Sequence, residues 1–92
     1  MELAMTLHAQ RRLQQRGIPS FVVDLLDQFG AMERCGGADR LYFDKAARRQ
    51  LSDHFGAKHL PLFEKWMRVY AVVSDTGYLV TVAHRHRRLK KK

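Results

Sequence analysis

Apolar residues recur at helical spacing early in the chain, alternate over short stretches in its middle, and alternate again near its C-terminus. Thr6 is placed to cap a helix that Gly17 ends. After the turn Ile18-Pro19, Ser20 reads as the N-cap of a second helix carrying Phe21, Val22, Leu25, Leu26 and Phe29, with Gly30 as its stop. Segments 31–36 and 40–44, separated by Gly37-Ala38-Asp39, read as a small hairpin. Asp44 caps a predicted third helix over 45–55, with Ala46, Ala47, Leu51 and Phe55 inward and Gly56 at its end. Residues 58–65 fit either a short helix with Pro61 in its first turn or a loop.

The clearest strand signal is the last one, residues 66–73 and 78–84 around Asp75-Thr76-Gly77. A three-residue loop sets Ala71 opposite Thr81, Arg68 opposite His84 and Met67 opposite Arg85. Alternation then groups Val69, Ala71, Val73, Leu79, Thr81 and Ala83 on one face, and Arg68, Tyr70, Val72, Val80, Val82 and His84 on the other. The expected fold class is α+β: two N-terminal helices packed on a four-stranded, mainly antiparallel sheet, with an inserted third helix, in the order ααββαββ. Residues 1–84 form one such domain and 85–92 a basic tail. The 92 residues, 46% of them hydrophobic, suit one small core.

Charge changes the picture because it is uneven. Residues 1–45 hold six Lys/Arg and six Asp/Glu; residues 46–92 hold eleven and three, and carry the whole net charge of +8. Six cations, Arg85, Arg87, Arg88, Lys90, Lys91 and Lys92, lie in the last eight residues. Such a cluster attracts polyanions without regard to sequence, and equally serves as a solvated tail. The single cysteine, Cys35, has no internal disulfide partner, which points to a cytoplasmic protein. The longest apolar run, 69–73, is far short of a membrane span, and Glu2 precedes any apolar stretch, unlike a secretory signal.

The candidate chemistry begins on the first helix. His8, Arg12 and Arg16 fall within an arc of about 80°, one titratable ring and two permanent cations on one face. Metal-free RNA cleavage needs a base for the 2'-hydroxyl, an acid for the 5'-oxygen and fixed cations around the phosphorus, and His8 with Arg12, joined by His84 and Arg85 at a strand end, offers those types. The same residues also fit an ordinary surface helix whose arginines pair with Asp24, Asp27 or Asp39. Asp24 and Asp27 themselves read as the solvated side of a greasy helix. Trp66, Tyr70 and Tyr78 suit base stacking or cross-strand packing. His54, His59, His84, His86 and Cys35 lack the spacing of a zinc site, so neither a metal nor another cofactor is expected.

The pieces His8-Ala9, Arg12, Arg16-Gly17-Ile18 and Val80-Thr81-Val82-Ala83-His84-Arg85, in that order, resemble a family of small domains that begin with a His-Ala helix, continue Arg-x3-Arg-Gly-Ile and end in a hydrophobic strand with a basic end. Those domains look like members of the barnase-colicin-RelE-like nuclease-toxin superfold. The resemblance implies helices on an antiparallel sheet, metal-independent endoribonuclease activity, and a toxin role opposed by an antitoxin-like protein. It places His8 first as acid/base, Arg12 and Arg16 as phosphate or structural arginines, and Thr81 with Arg85 as contributions of the last strand. The third helix and the long approach to the final hairpin depart from a compact RelE-like meander. The expected function is accordingly a toxin-like endoribonuclease acting on RNA, with Arg16 and the cations 87–92 binding its backbone. The alternatives are a non-catalytic nucleic-acid-binding module run by the basic tail, and a protein-interaction domain of a phage or plasmid system.

Overall fold

The computed structural model describes residues 4–85. Their order is β1 (Ala4–Met5), α1 (Leu7–Arg16), α2 (Ser20–Phe29), β2 (Ala31–Cys35), β3 (Ala38–Tyr42), α3 (Lys45–Phe55), α4 (Leu60–Phe63) between two 3-10 turns, β4 (Val69–Ser74) and β5 (Tyr78–His84). The α+β class holds. Four strands pair antiparallel in the order β5-β4-β3-β2, and β1 adds a two-residue parallel edge beside β5 that the sequence did not announce.

Local chemistry sets most boundaries. The Thr6 hydroxyl accepts the Ala9 N–H at 3.0 Å and Gly17 ends α1. Asp44 does the same for α3, accepting the Ala47 N–H at 2.8 Å. Ser20, read as a cap, is instead the first residue of α2, and Pro19 occupies the cap position without a side-chain bond. Gly30 ends α2 at an ordinary negative φ, and its lack of a side chain matters for a different reason: a Cβ there would sit 2.5 Å from the Leu26 carbonyl oxygen. The first hairpin turns on Gly36 and Gly37, both at positive φ, one residue earlier than the predicted loop. Around Pro61 the ambiguous stretch is helical, as the 3-10 turn Ala57–His59, α4 and the 3-10 turn Glu64–Trp66.

The core lies on one face of the sheet. Ala9 and Leu13 of α1, Val22, Val23, Leu25 and Leu26 of α2, and Ala47 and Leu51 of α3 meet Leu41, Val69, Ala71, Val73, Leu79 and Val82 of the strands. Phe29, Leu60, Phe63 and Trp66 pack against its margin. Each helix therefore hides an apolar stripe against the same layer, the dominant favourable contribution to folding.

The final hairpin departs from the expected facing. Its loop is Asp75–Gly77 as predicted, and Val73 faces Leu79 as the loop demands, but beyond that the pairs are Val72 with Thr81, Ala71 with Val82, Tyr70 with Ala83 and Val69 with His84. A bulge shifts the register by one, leaving Val80 as the extra residue, 40% exposed. Val82 thereby enters the core, Thr81 and Ala83 move to the opposite face, and His84 moves to the face the helices cover.

Candidate nucleic-acid interface

Thr6 fixes the start of α1 twice over. Besides capping the helix, its hydroxyl donates to the Leu79 carbonyl at 3.0 Å and so ties α1 to β5. With Ala9 and Leu13 buried, His8 and Arg16 stand exposed and Arg12 half-buried along one flank of that stripe. Gln10 and Gln14 lie on the other flank, where they line a wide, shallow hollow with Leu13 and residues 17–20. The predicted stripe is thus kept apart from that hollow.

Arg12 Nε donates to His8 Nε2 at 3.5 Å, a long contact between two side chains one helical turn apart. Four carboxylates are engaged elsewhere: Asp39 and Asp75 both pair with Arg34, Glu33 with Arg40 and Glu64 with Arg48. Among the described residues, neither Arg12 nor Arg16 pairs with a carboxylate. The alternative in which they are tied to Asp24, Asp27 or Asp39 is not what forms.

The last-strand candidates do not share one surface. His84 lies beside Val69 on the helix-covered side, its ring stacked on Trp66 with centroids 6.2 Å apart, while Lys65 Nζ stands 4.8 Å from the Trp66 ring centre. Thr81 faces the other way, in line with Val72, Arg40 and Glu33 across the sheet. The Arg85 N–H donates to the Arg68 carbonyl at 2.8 Å, extending the ladder by one pair. Arg68 and Arg85 therefore continue the alternation of Tyr70 and Ala83, on the Thr81 side. The residues Arg87, Arg88, Lys90, Lys91 and Lys92 lie outside the described residues.

Among the described residues no helix covers that second face. All the described helices bury their stripes on the opposite side, and Ala83, 8% exposed, is the buried apolar residue left out of their core. Two rows cross it, Ala31-Tyr42-Tyr70-Ala83 and Glu33-Arg40-Val72-Thr81. Arg40 donates to Glu33, which reinforces its charge, while its buried Nε lacks an acceptor. Sequence reasoning grouped Arg68 with Tyr70 on one face but missed Tyr42 and Arg40 beside them, because only the pairing of β3 with β4 brings those two alongside.

The remaining candidates have structural surroundings. His54 packs between Phe29 and Phe55, with ring centroids 5.3 and 4.6 Å away. Cys35 is exposed at the end of β2. Among the described residues no three His, Cys, Asp or Glu side chains converge as metal ligands, and no helix is long and apolar enough to cross a membrane. No family model, curated protein or solved structure matches the chain.

Proposed function

We propose that the protein is an RNA-binding domain whose α1 face and basic C-terminus engage the phosphate backbone. The observation that carries this reading is the absence of a carboxylate partner for Arg12 and Arg16 among the described residues, in a chain of net charge +8. Arginines left without a carboxylate on a helix anchored through Thr6 and Leu79 offer guanidinium donors to an anion. The decisive measurement is fluorescence anisotropy of a labelled RNA titrated with protein across a range of KCl. Binding that weakens steeply with salt, and weakens further in Arg12→Ala/Arg16→Ala, supports the reading; no binding at low salt overturns it.

The contact between Arg12 and His8 favours a second reading, cleavage of the bound strand. His8 would take the 2'-hydroxyl proton as that oxygen bonds to phosphorus, and Arg12 would hold the non-bridging oxygens. The 5'-oxygen would leave with a proton from water or from the protonated His8, giving a 2',3'-cyclic phosphate and a 5'-hydroxyl end. This is the chemistry of the toxin-like endoribonuclease, with an antitoxin-like protein as partner. Thr81 and Arg85 lie on the sheet face away from α1, so this second reading places its chemistry on His8 and Arg12. Cleavage in excess EDTA that His8→Ala abolishes, with RNA affinity retained, would support it. Equal cleavage by the variant would defeat it.

A further inference from the structure

We infer that this second face of the sheet is a stacking surface for single-stranded RNA, with Tyr42 and Tyr70 as its platform and Arg68 at its cationic end. The inference rests on the RNA-binding reading and specifies the form of RNA bound.

Its first ground is what the face is made of. Antiparallel sheets that meet only water usually alternate apolar residues inward with polar residues outward. Here the outward positions of the central strands include Tyr42, Tyr70, Val72 and Ala83 beside the polar Arg40, Ser74 and Thr81, with the exposed Val80 of the bulge next to them. Tyr42 and Tyr70 are direct cross-strand partners, so their side chains rise side by side on adjacent central strands. Tyr78 alternates with the buried Leu79 and belongs to the same side, which gathers all three tyrosines of the chain on one face.

The second ground is charge. Arg68 is exposed and, among the described residues, pairs with no carboxylate; Arg40 crosses the next row with a buried Nε that lacks an acceptor. Glu33, on the same row, is already bound to Arg40. A surface of aromatic rings bordered by arginines is what a nucleic-acid single strand recognises, since bases stack on the rings while cations track the backbone. A second copy of a +8 chain would be repelled, whereas a polyanion is attracted. Base-paired RNA keeps its bases stacked on one another and offers no free ring to Tyr42 or Tyr70.

The test compares a 5-iodouridine-labelled single strand with a duplex of the same sequence. Photocrosslinks on the wild-type protein should map to peptides holding Tyr42 or Tyr70, and single-strand affinity should exceed duplex affinity. Tyr42→Leu/Tyr70→Leu, which keeps apolar bulk and removes the flat rings, should lose at least about tenfold in single-strand affinity with its salt dependence unchanged, while Tyr42→Phe/Tyr70→Phe stays near wild type. Crosslinks confined to α1 and the C-terminus, with the Leu variant binding as wild type, would overturn the stacking surface and leave the RNA reading intact. If the wild-type protein binds neither RNA, both fall.

Discussion

Leu79 and Val82 stand three residues apart on β5 and both point into the core, fully buried. A regular strand sends such a pair to opposite faces; the extra residue Val80 makes the arrangement possible by bulging outward. Everything on the last strand downstream of Val80 takes its facing from this one irregularity.

The bulge makes a direct stability prediction. Val82→Asp buries an unpaired carboxylate and should abolish cooperative unfolding, and Leu79→Ala should cost about 2–5 kcal/mol. Val80→Asp, at the exposed extra residue, should change stability by no more than about 0.5 kcal/mol. Urea denaturation of the three variants checks the contrast, and a Val80→Asp protein as damaged as Val82→Asp would contradict the register.

Thr6 holds a second structural relationship, because one hydroxyl serves the Ala9 N–H and the Leu79 carbonyl together. Thr6→Ala should cost about 1–2 kcal/mol, with Thr6→Ser restoring most of it. Hydrogen exchange at the first turn of α1 should rise in the Ala variant before global unfolding does.

Asp75 gives the acid dependence its sign. Its hydrogen bond from Arg34 lowers its pKa below the ordinary value of 3.8, so the folded state prefers the carboxylate. This contribution is present above the unfolded value and is lost as pH falls through the folded one. Both partners are exposed, so the effect is small and screened by salt. Asp75→Asn should therefore lower the melting temperature slightly at pH 6 and low salt, with the difference shrinking to nothing below the folded pKa; an undiminished difference there would count against the pair.

For RNA binding, salt separates the two cationic surfaces. If Arg12 and Arg16 each engage a phosphate, replacing both by Ala should reduce the slope of log K against log salt by about 1.4 for a single strand. Removing residues 86–92, which hold five Lys/Arg, should reduce it by up to about 3.5. Slopes unaffected by either change would remove both surfaces from the interface.

The periodic and capping signals were legible because they depend on neighbours a few residues away. Thr6, Gly17, Asp44 and the Asp75–Gly77 loop all act where their local chemistry places them. The face shared by His8, Arg12 and Arg16 was equally legible, being a property of one helix. The facing of Thr81 and His84 was not. Val80-Thr81-Val82-Ala83 contains no glycine, proline or charge that says which residue bulges, and burial of Leu79 and Val82 together is decided by the helices that cover them.

By itself, then, the sequence determined the α+β class, the ends of α1 and α3, the last loop and the concentration of charge in its second half, all of which follow from short-range propensity and composition. Tertiary structure alone decided that β1 joins the sheet edge, that Tyr42 stands beside Tyr70, that Asp75 is bound to Arg34, and that Thr81 and His84 part to opposite faces. These are pairings between segments distant along the chain, and their register is set by which side chains the single core can bury.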